Sequence, residues 1–339
     1  MEVAQSRLIE EYVPLHLLGP CLAVISVVGQ LSTLVGLISV NWIPADDDTE
    51  ALEADITWRY VQGLQLLILV ILIVYMTIFV RTDSPKFYMT QKQDEKAKEV
   101  INQIYFTDTE GCTEEHVLAE LKRLSSVETN NVGIIDAFWR DERHRRSSCI
   151  AIALTASVWL CGFQVILNYA NNIMTQVDDE GSLLDPRQSV YVLGLSQFIG
   201  SLLSLWAVTA YGRRTLLLVG HLGCSILLAG LSLCVVWDLD VLLLALICIY
   251  SFLFNLTNAT VVNVFLVEIC TDIAFGTALV MMNLVILLET ATALEMINWL
   301  NPEGFFLFYS VTSFLGFIFV YFWIGETKNL SEKDKKLLY

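Results

Sequence analysis

The sequence contains little charge for its length. Charged residues make up 17% of its 339 residues and hydrophobic residues make up 55%, whereas an ordinary soluble domain carries about 25% charged residues. The charges also cluster, which leaves long uncharged runs between them. Because a chain of this length could not bury all of these runs in one core, the composition excludes a soluble globular protein. It predicts an integral membrane protein whose main surroundings are the lipid bilayer.

The uncharged runs are long enough to cross a membrane. A helix needs roughly 20 mainly apolar residues to cross a hydrocarbon core of ~30 Å. Eight runs meet this length, at residues 14–38, 58–80, 149–174, 189–210, 215–236, 241–267, 277–300 and 305–324. We therefore predict an all-α, multi-pass membrane protein with about eight transmembrane helices.

Basic residues are scarce in two of the loops, and this scarcity predicts the orientation. Residues 45–55 contain six acids and no base, and residues 178–187 contain four acids and one base, Arg187. The opposite side holds 18 of the 20 basic residues. Because Lys and Arg in short loops stay in the cytoplasm, we predict that both termini are cytoplasmic.

The sequence also lacks the motifs of common enzymes. It has no phosphate-binding glycine loop, no metal cluster and no nucleophile–base motif, and its four histidines have no ligand-like spacing. Seven of the eight cysteines lie within or beside predicted spans, and Cys112 lies in a cytoplasmic segment, which predicts free thiols rather than disulfides. We predict a protein that is not an enzyme, has no cofactor or metal, and does not bind nucleic acid.

The longest soluble segment, residues 81–148, has helical periodicity. Ala97, Val100, Ile101 and Ile104 recur at helical spacing, a second helix is predicted from Thr113, and a third over residues 134–139. Such short amphipathic helices are interpreted as a cytoplasmic layer beneath the membrane domain. A separate binding module is the alternative.

Two short motifs recur in the same order along the chain. Glu11 precedes Gly19 by eight residues before one span, and Glu268 precedes Gly276 by eight residues before another. The span pairs that follow end in related segments, at residues 82–86 and 325–329. Because many transporters consist of two related halves, the repeat favours that plan.

With these motifs the chain resembles the sugar-porter branch of the major facilitator superfamily. The matching residues are Glu11, Pro14, Gly19, 83–86, Leu160, Gly162, Tyr169, 212–214 and 326–328. The match begins at the end of the family's fourth span, so the resemblance implies a partial major-facilitator fold that lacks the first four helices. The implied domains are residues 1–81 (two helices of the N-terminal half), 82–147 (cytoplasmic helices), 148–325 (the six-helix C-terminal bundle) and 326–339 (a cytoplasmic tail).

Several family positions differ here, and two functions therefore remain open. Val158 and Trp159 occupy the positions of a double Gln, and Thr209 and Ala210 replace an Asp-Arg pair. The resemblance implies a transporter of a sugar or related polyol that works by alternating access. The alternative is a degenerate member that acts as a membrane scaffold or complex subunit without transport. For either function, we expect the missing helices to be supplied by an upstream segment, a second copy or another subunit.

Polar side chains within the spans are candidates for solute binding. Ser157, Cys161, Gln164, Asn168 and Asn171 have a spacing that places them on one face of a single continuous helix. The complete set of predicted binding residues is Gln164, Asn168, Gln197, Asn255, Asn258 and Gln30. Carboxamides suit a neutral, hexose-like solute because each offers donors and an acceptor. Hydrogen bonding between helices is the alternative role.

Charged residues near the cytoplasmic ends of the spans are candidates for gating. The resemblance implies that Arg213, Arg214 and Glu268 form an exposed latch at the inner gate. The alternative is that the two arginines only supply the positive charge that keeps this side in the cytoplasm. Glu11 is the corresponding acid in the first of the two repeated motifs. Glu289 is the acid deepest within a span. It is a candidate coupling acid, with a structural partner or an outward water pocket as the alternative.

Overall fold

The computed structural model describes residues 2–13, 15–39, 55–79, 82–104, 138–139, 142–168, 186–237, 239–328 and 330. These residues form twelve α-helices and no β-strand. The first five are α1 (Glu2–Tyr12), α2 (Leu15–Ser39), α3 (Thr57–Phe79), α4 (Pro85–Thr90) and α5 (Asp94–Ile104). The others are α6 (Glu142–Trp159), α7 (Phe163–Asn168), α8 (Pro186–Ala210), α9 (Arg213–Val236), α10 (Asp240–Leu256), α11 (Asn258–Ile269) and α12 (Asp272–Trp323).

Seven helical stretches in this part of the chain are long and apolar enough to cross a membrane. The last of them, α12, has 52 residues and is interrupted at Asn301, where φ is 55° and ψ is 166°. At a rise of 1.5 Å per residue, α12 would be about 78 Å long, more than twice the hydrocarbon thickness. Pro302 follows the interruption and lacks the N–H that a continuous helix needs. The two parts of α12 therefore correspond to the last two of the eight predicted spans.

The chain divides into two compact units. The larger unit contains residues 1–6, 15–35 and 132–339, and the smaller contains residues 7–14 and 36–131. In the smaller unit, most side chains of α3 are exposed even though the helix is strongly apolar. A helix of this kind finds its apolar surroundings in lipid, because the hydrocarbon chains of the bilayer replace a protein core.

Two short helices of the smaller unit pack on each other. Ser84 caps α4, since its hydroxyl accepts a hydrogen bond from the Phe87 backbone N–H at 3.2 Å. On α5, Ala97 and Ile101 are fully buried, and Tyr88 and Met89 pack against them. The helix predicted from the spacing of residues 97–104 is confirmed. The predicted helix from residue 113 lies outside the described residues.

In the larger unit, α9 lies among several helices: it packs on α12 and α10, and to a lesser extent on α11. Helix α6 packs on α12, and α8 packs on α10. At one crossing, a Cβ at Gly200 would lie 2.4 Å from the Phe252 carbonyl oxygen, so only glycine allows α8 this close to α10. The seven described cysteines are free thiols, as predicted.

Candidate functional site

The predicted span over residues 149–174 is not one continuous helix. Helix α6 ends at Trp159 and α7 begins at Phe163. Gly162 has a φ of 77°, and a Cβ there would lie 2.6 Å from the Tyr309 ring, so the break requires glycine. The break interrupts the helix on which the predicted polar face depends. Because the Asn168 side chain and all of Asn171 lie outside the described residues, the shared face stays a prediction.

Side chains from other helices satisfy the backbone groups that this break releases. The Tyr250 hydroxyl donates to the Cys161 carbonyl at 2.8 Å, and the Thr312 hydroxyl donates to the Leu160 carbonyl at 2.7 Å. Within a membrane, unsatisfied backbone groups are costly, and a break is tolerated where protein groups replace the lost bonds. The break is thus held in place by residues of α10 and α12.

An aromatic cluster (Trp159, Phe163, Tyr250 and Phe254) joins the two sides of the helix break to α10. Phe254 stacks on Phe163 with ring centroids 4.3 Å apart, and its centroid lies 6.0 Å from Trp159 and 6.3 Å from Tyr250. Trp159 Nε1 and the Tyr309 hydroxyl are buried without a hydrogen-bond partner among the described residues. Trp159 occupies one position of the family's double Gln, and the sequence predicted no binding role for it.

In two of the predicted carboxamides, both the oxygen and the nitrogen of the side chain are buried without a hydrogen-bond partner among the described residues. Gln197 is 1% exposed and Asn258 is 0% exposed, and neither side chain has a hydrogen-bond partner in the described part of the chain. Asn258 lies against α9, where a Cβ at Gly220 would be within 2.0 Å of its Oδ1 atom. Asn255 differs, because its Nδ2 donates to the Ser251 carbonyl at 2.9 Å within its own helix.

The other predicted binding residues have mixed surroundings. Gln164 is half-buried and has an interaction partner. Gln30 is half-buried, and its Oε1 atom is buried without a partner among the residues described. Asn168 is the last residue of α7, and its side chain, like all of Asn171, lies outside the described part.

The predicted pairing of Arg213 with Glu268 is present in the larger unit. Arg213 Nη2 donates to Glu268 Oε1 at 3.0 Å, and Nη1 donates to the Val208 carbonyl at 3.3 Å. The Thr327 hydroxyl donates to Glu268 Oε2 at 2.6 Å. The Arg213 backbone N–H donates to Glu326 Oε1 at 2.8 Å. This group of residues, the Arg213 cluster, joins α8, α9 and α11 to the segment after α12.

Two further cations lie beside the Arg213 cluster. Lys328 Nζ donates to the Thr209 and Ala210 carbonyls at 2.7 and 2.9 Å, and these carbonyls are at the C-terminus of α8. A cation there is favourable because the last carbonyls of a helix have no partner within it. Arg214 donates to the Tyr321 carbonyl at 2.8 Å. The sequence indicated the 326–328 motif, but not these contacts.

The Arg213–Glu268 pair is more buried than the sequence suggested. The side chains of Arg213 and Glu268 are 11% and 5% exposed, so the expectation of an exposed pair was wrong. Gly19 adds to this burial, since a Cβ there would lie 3.0 Å from Arg213 Nη2. Glu11 is half-buried on α1 in the smaller unit, and its gating role stays a prediction.

Comparison with solved structures shows the class of fold. Over its full length the chain superposes on the proton:xylose symporter XylE, a major facilitator superfamily protein, with a TM-score of 0.80 and 19% identity. It covers 70% of that chain. A partially occluded, inward-open structure of XylE from E. coli gives a TM-score of 0.73 with 20% identity. The chain is therefore an integral, multi-pass membrane protein with a major-facilitator fold.

Sequence comparison shows the family. The family profile described as "Sugar (and other) transporter" matches residues 3–335, and the chain belongs to this family. Hexose transporter 1 of Plasmodium falciparum is 24% identical over 298 residues, which cover 84% of this chain and 58% of the relative. Facilitated glucose transporter member 3 of Ovis aries is 28% identical over 150 residues, 43% of this chain and 29% of that protein.

The chain spans less than two thirds of the length of these curated relatives. Their names are those of transporters and not of enzymes, which agrees with the predicted absence of enzymatic activity.

Proposed function

We propose that the protein transports a small polyhydroxylated solute, hexose-like in size and polarity, by alternating access. The observation that carries this proposal is the pair of buried, unpaired carboxamides, Gln197 and Asn258. A buried polar group without a partner costs roughly 1–3 kcal/mol. A solute hydroxyl group that donates to one end of the amide and accepts from the other would recover this cost.

The breaks in the helices support the same function. The α6–α7 break lies at Gly162, and α10 is separated from α11 at Thr257, next to Asn258. Transporters of several folds build their solute sites from such discontinuous helices, whose ends bring polar groups to the middle of the membrane. The names of the Plasmodium and sheep relatives support a hexose as the class of solute.

The Arg213 cluster is proposed as a gate latch. It connects α8, α9 and α11 to residues 326 and 327. We place this end in the cytoplasm because basic residues concentrate there. In this proposal, some of these contacts separate when a solute leaves through this end. The closed latch therefore favours the outward-facing state.

The proposal is tested by Gln197→Leu, with Gln62→Leu on the exposed surface of α3 as the matched control. Candidate hexoses and polyols should raise the melting temperature of the parent protein and of Gln62→Leu. Gln197→Leu should lose this rise, while its melting temperature without solute stays the same or increases. If Gln197 instead joins helices, the unliganded protein should melt earlier and the solute effect should persist. No effect of any solute on the parent would favour the non-transporting scaffold.

A further inference from the structure

The hydroxyl group of Tyr250 on α10 takes the place of a helical hydrogen bond at the α6–α7 break. Tyr250 is fully buried, and its hydroxyl donates to the Cys161 carbonyl oxygen at 2.8 Å. In a continuous helix, this carbonyl would accept from the backbone N–H of residue 165, four positions later. The position of the chain at the break therefore depends on a side chain from another helix.

A second contact from α10 lies on the other side of the break. Phe254 follows Tyr250 by one helical turn and shares its face of α10. Its ring stacks on Phe163, with ring centroids 4.3 Å apart and an angle of 12° between the planes. Gly162, with its positive φ, lies between the two contacted residues. One face of α10 thus contacts residues 161 and 163 and fixes the direction in which α7 leaves the break.

Gln164 is the accessible residue in the first turn of α7. Phe163, Val165 and Ile166 are buried, whereas Gln164 is half-buried. Gln164 directly follows Phe163, so the direction of its carboxamide depends on how α7 is held at the break. Direction matters for binding, because a hydrogen bond weakens steeply when its donor and acceptor are misaligned.

We infer that Tyr250 is a positioning residue of the solute site, because its hydrogen bond to Cys161 holds the Gln164 carboxamide in the orientation that binds a solute hydroxyl group. This inference rests on the proposed function and adds a residue that acts through Gln164 rather than on the solute. Without the Tyr250 hydroxyl, the Cys161 carbonyl would regain a donor if the helix continued to residue 165. That change would rotate Gln164, since successive helical residues differ in direction by about 100°.

The first test is a double-mutant cycle between Tyr250 and Gln164, with D-glucose as the probe. Tyr250→Phe removes only the hydroxyl and keeps a ring beside Phe254. We expect it to weaken D-glucose binding to the purified full chain about tenfold, equivalent to about 1.4 kcal/mol. In a Gln164→Leu background it should change the affinity little, and this non-additivity identifies an effect that acts through Gln164. The control, Tyr60→Phe, removes an exposed hydroxyl from α3 and should leave the affinity unchanged.

Thiol labelling tests the position of residue 164 without a solute. Maleimide labelling of Gln164→Cys, followed by mass spectrometry of its peptide, should slow at least about threefold when Tyr250→Phe is added. The neighbours of Gln164 in its turn are buried, so a rotation of α7 carries residue 164 toward a buried position. Tyr60→Phe should leave the rate unchanged. Thr312→Val removes the hydroxyl that donates to the Leu160 carbonyl and should slow labelling in the same way.

The outcomes separate this inference from the proposed function. An equal loss of affinity from Tyr250→Phe in the parent and in Gln164→Leu overturns the inference and leaves hexose transport intact. Unchanged labelling of Gln164→Cys also overturns it. Absence of D-glucose binding by the parent contradicts the proposed function, while slower labelling would still support the position set by Tyr250. The melting temperature of each unliganded variant establishes that it is folded.

Discussion

The Arg213–Glu268 pair allows a quantitative prediction about gating. Arg213→Ala removes the guanidinium group from Glu268 and leaves the hydrogen bond that the Thr327 hydroxyl donates to Glu268 Oε2. Exposed pairs contribute about 0–1 kcal/mol, but breaking a buried pair by removing one partner costs about 3–5 kcal/mol. Because both side chains are buried, the cost of breaking a buried pair applies to Arg213 and Glu268. The latch should therefore bias the gate far more strongly than a surface ion pair could.

The native Cys270 thiol can report the opening of the latch. Cys270 is a buried cysteine outside any disulfide, two residues after Glu268. A loss of about 3 kcal/mol changes an opening equilibrium by at least about 100-fold, since 1.4 kcal/mol is a factor of ten. In inside-out vesicles, maleimide labelling of Cys270 should therefore accelerate by roughly that factor in Arg213→Ala. Mass spectrometry of the Cys270 peptide separates its labelling from that of other cysteines.

The exposed pair in the larger unit supplies the control. Arg145 Nη2 lies 3.9 Å from a Glu142 oxygen, and both side chains are more than half exposed. Arg145→Ala should leave Cys270 labelling within a few-fold of the parent rate. If Cys270 is labelled no faster in Arg213→Ala than in Arg145→Ala, the latch is refuted. Arg213 would then only contribute to the orientation of the protein in the membrane.

The remaining predictions concern topology and the helix break. Cysteines introduced at Asp47 and Asp179 should react with an impermeant reagent on intact cells, whereas one at Lys92 should need permeabilisation; the reverse pattern would invert the orientation. Gly162→Ala should lower the melting temperature, because φ is positive there and the Tyr309 ring occupies the Cβ position. Its control, Gly29→Ala, has open space and should be neutral or stabilising; equal effects would contradict the break.

The membrane spans could be predicted from the sequence because hydrophobicity is a local property. A run of about 20 apolar residues is long enough to span the bilayer as a helix, whatever the fold of the rest of the chain. The pairing of Arg213 with Glu268 was also predicted, because the family resemblance implies that an Arg–Glu pair forms at this position, and the structure contains the pair.

The break at Gly162 could not be predicted because it depends on distant residues. Tyr250 and Thr312 supply its hydrogen bonds, and Tyr309 supplies its steric constraint. None of them is a neighbour in the sequence. The burial of the Arg213–Glu268 pair likewise depends on Gly19 and on residues 326–328, which come from opposite ends of the chain. Local patterns therefore identified the charged partners but not how deeply they are buried.

Solute uptake tests the central claim most directly. The protein would be purified from its own membrane with any associated subunit, reconstituted into liposomes, and supplied with labelled hexoses, amino sugars and polyols. The account predicts saturable uptake of at least one of these solutes, competition by its D but not its L stereoisomer, and a large loss of uptake in Gln197→Leu but not in Gln62→Leu. The account would be contradicted if no solute is taken up, or if the D and L stereoisomers compete equally. Either result would show that the protein has no specific solute-binding site for transport.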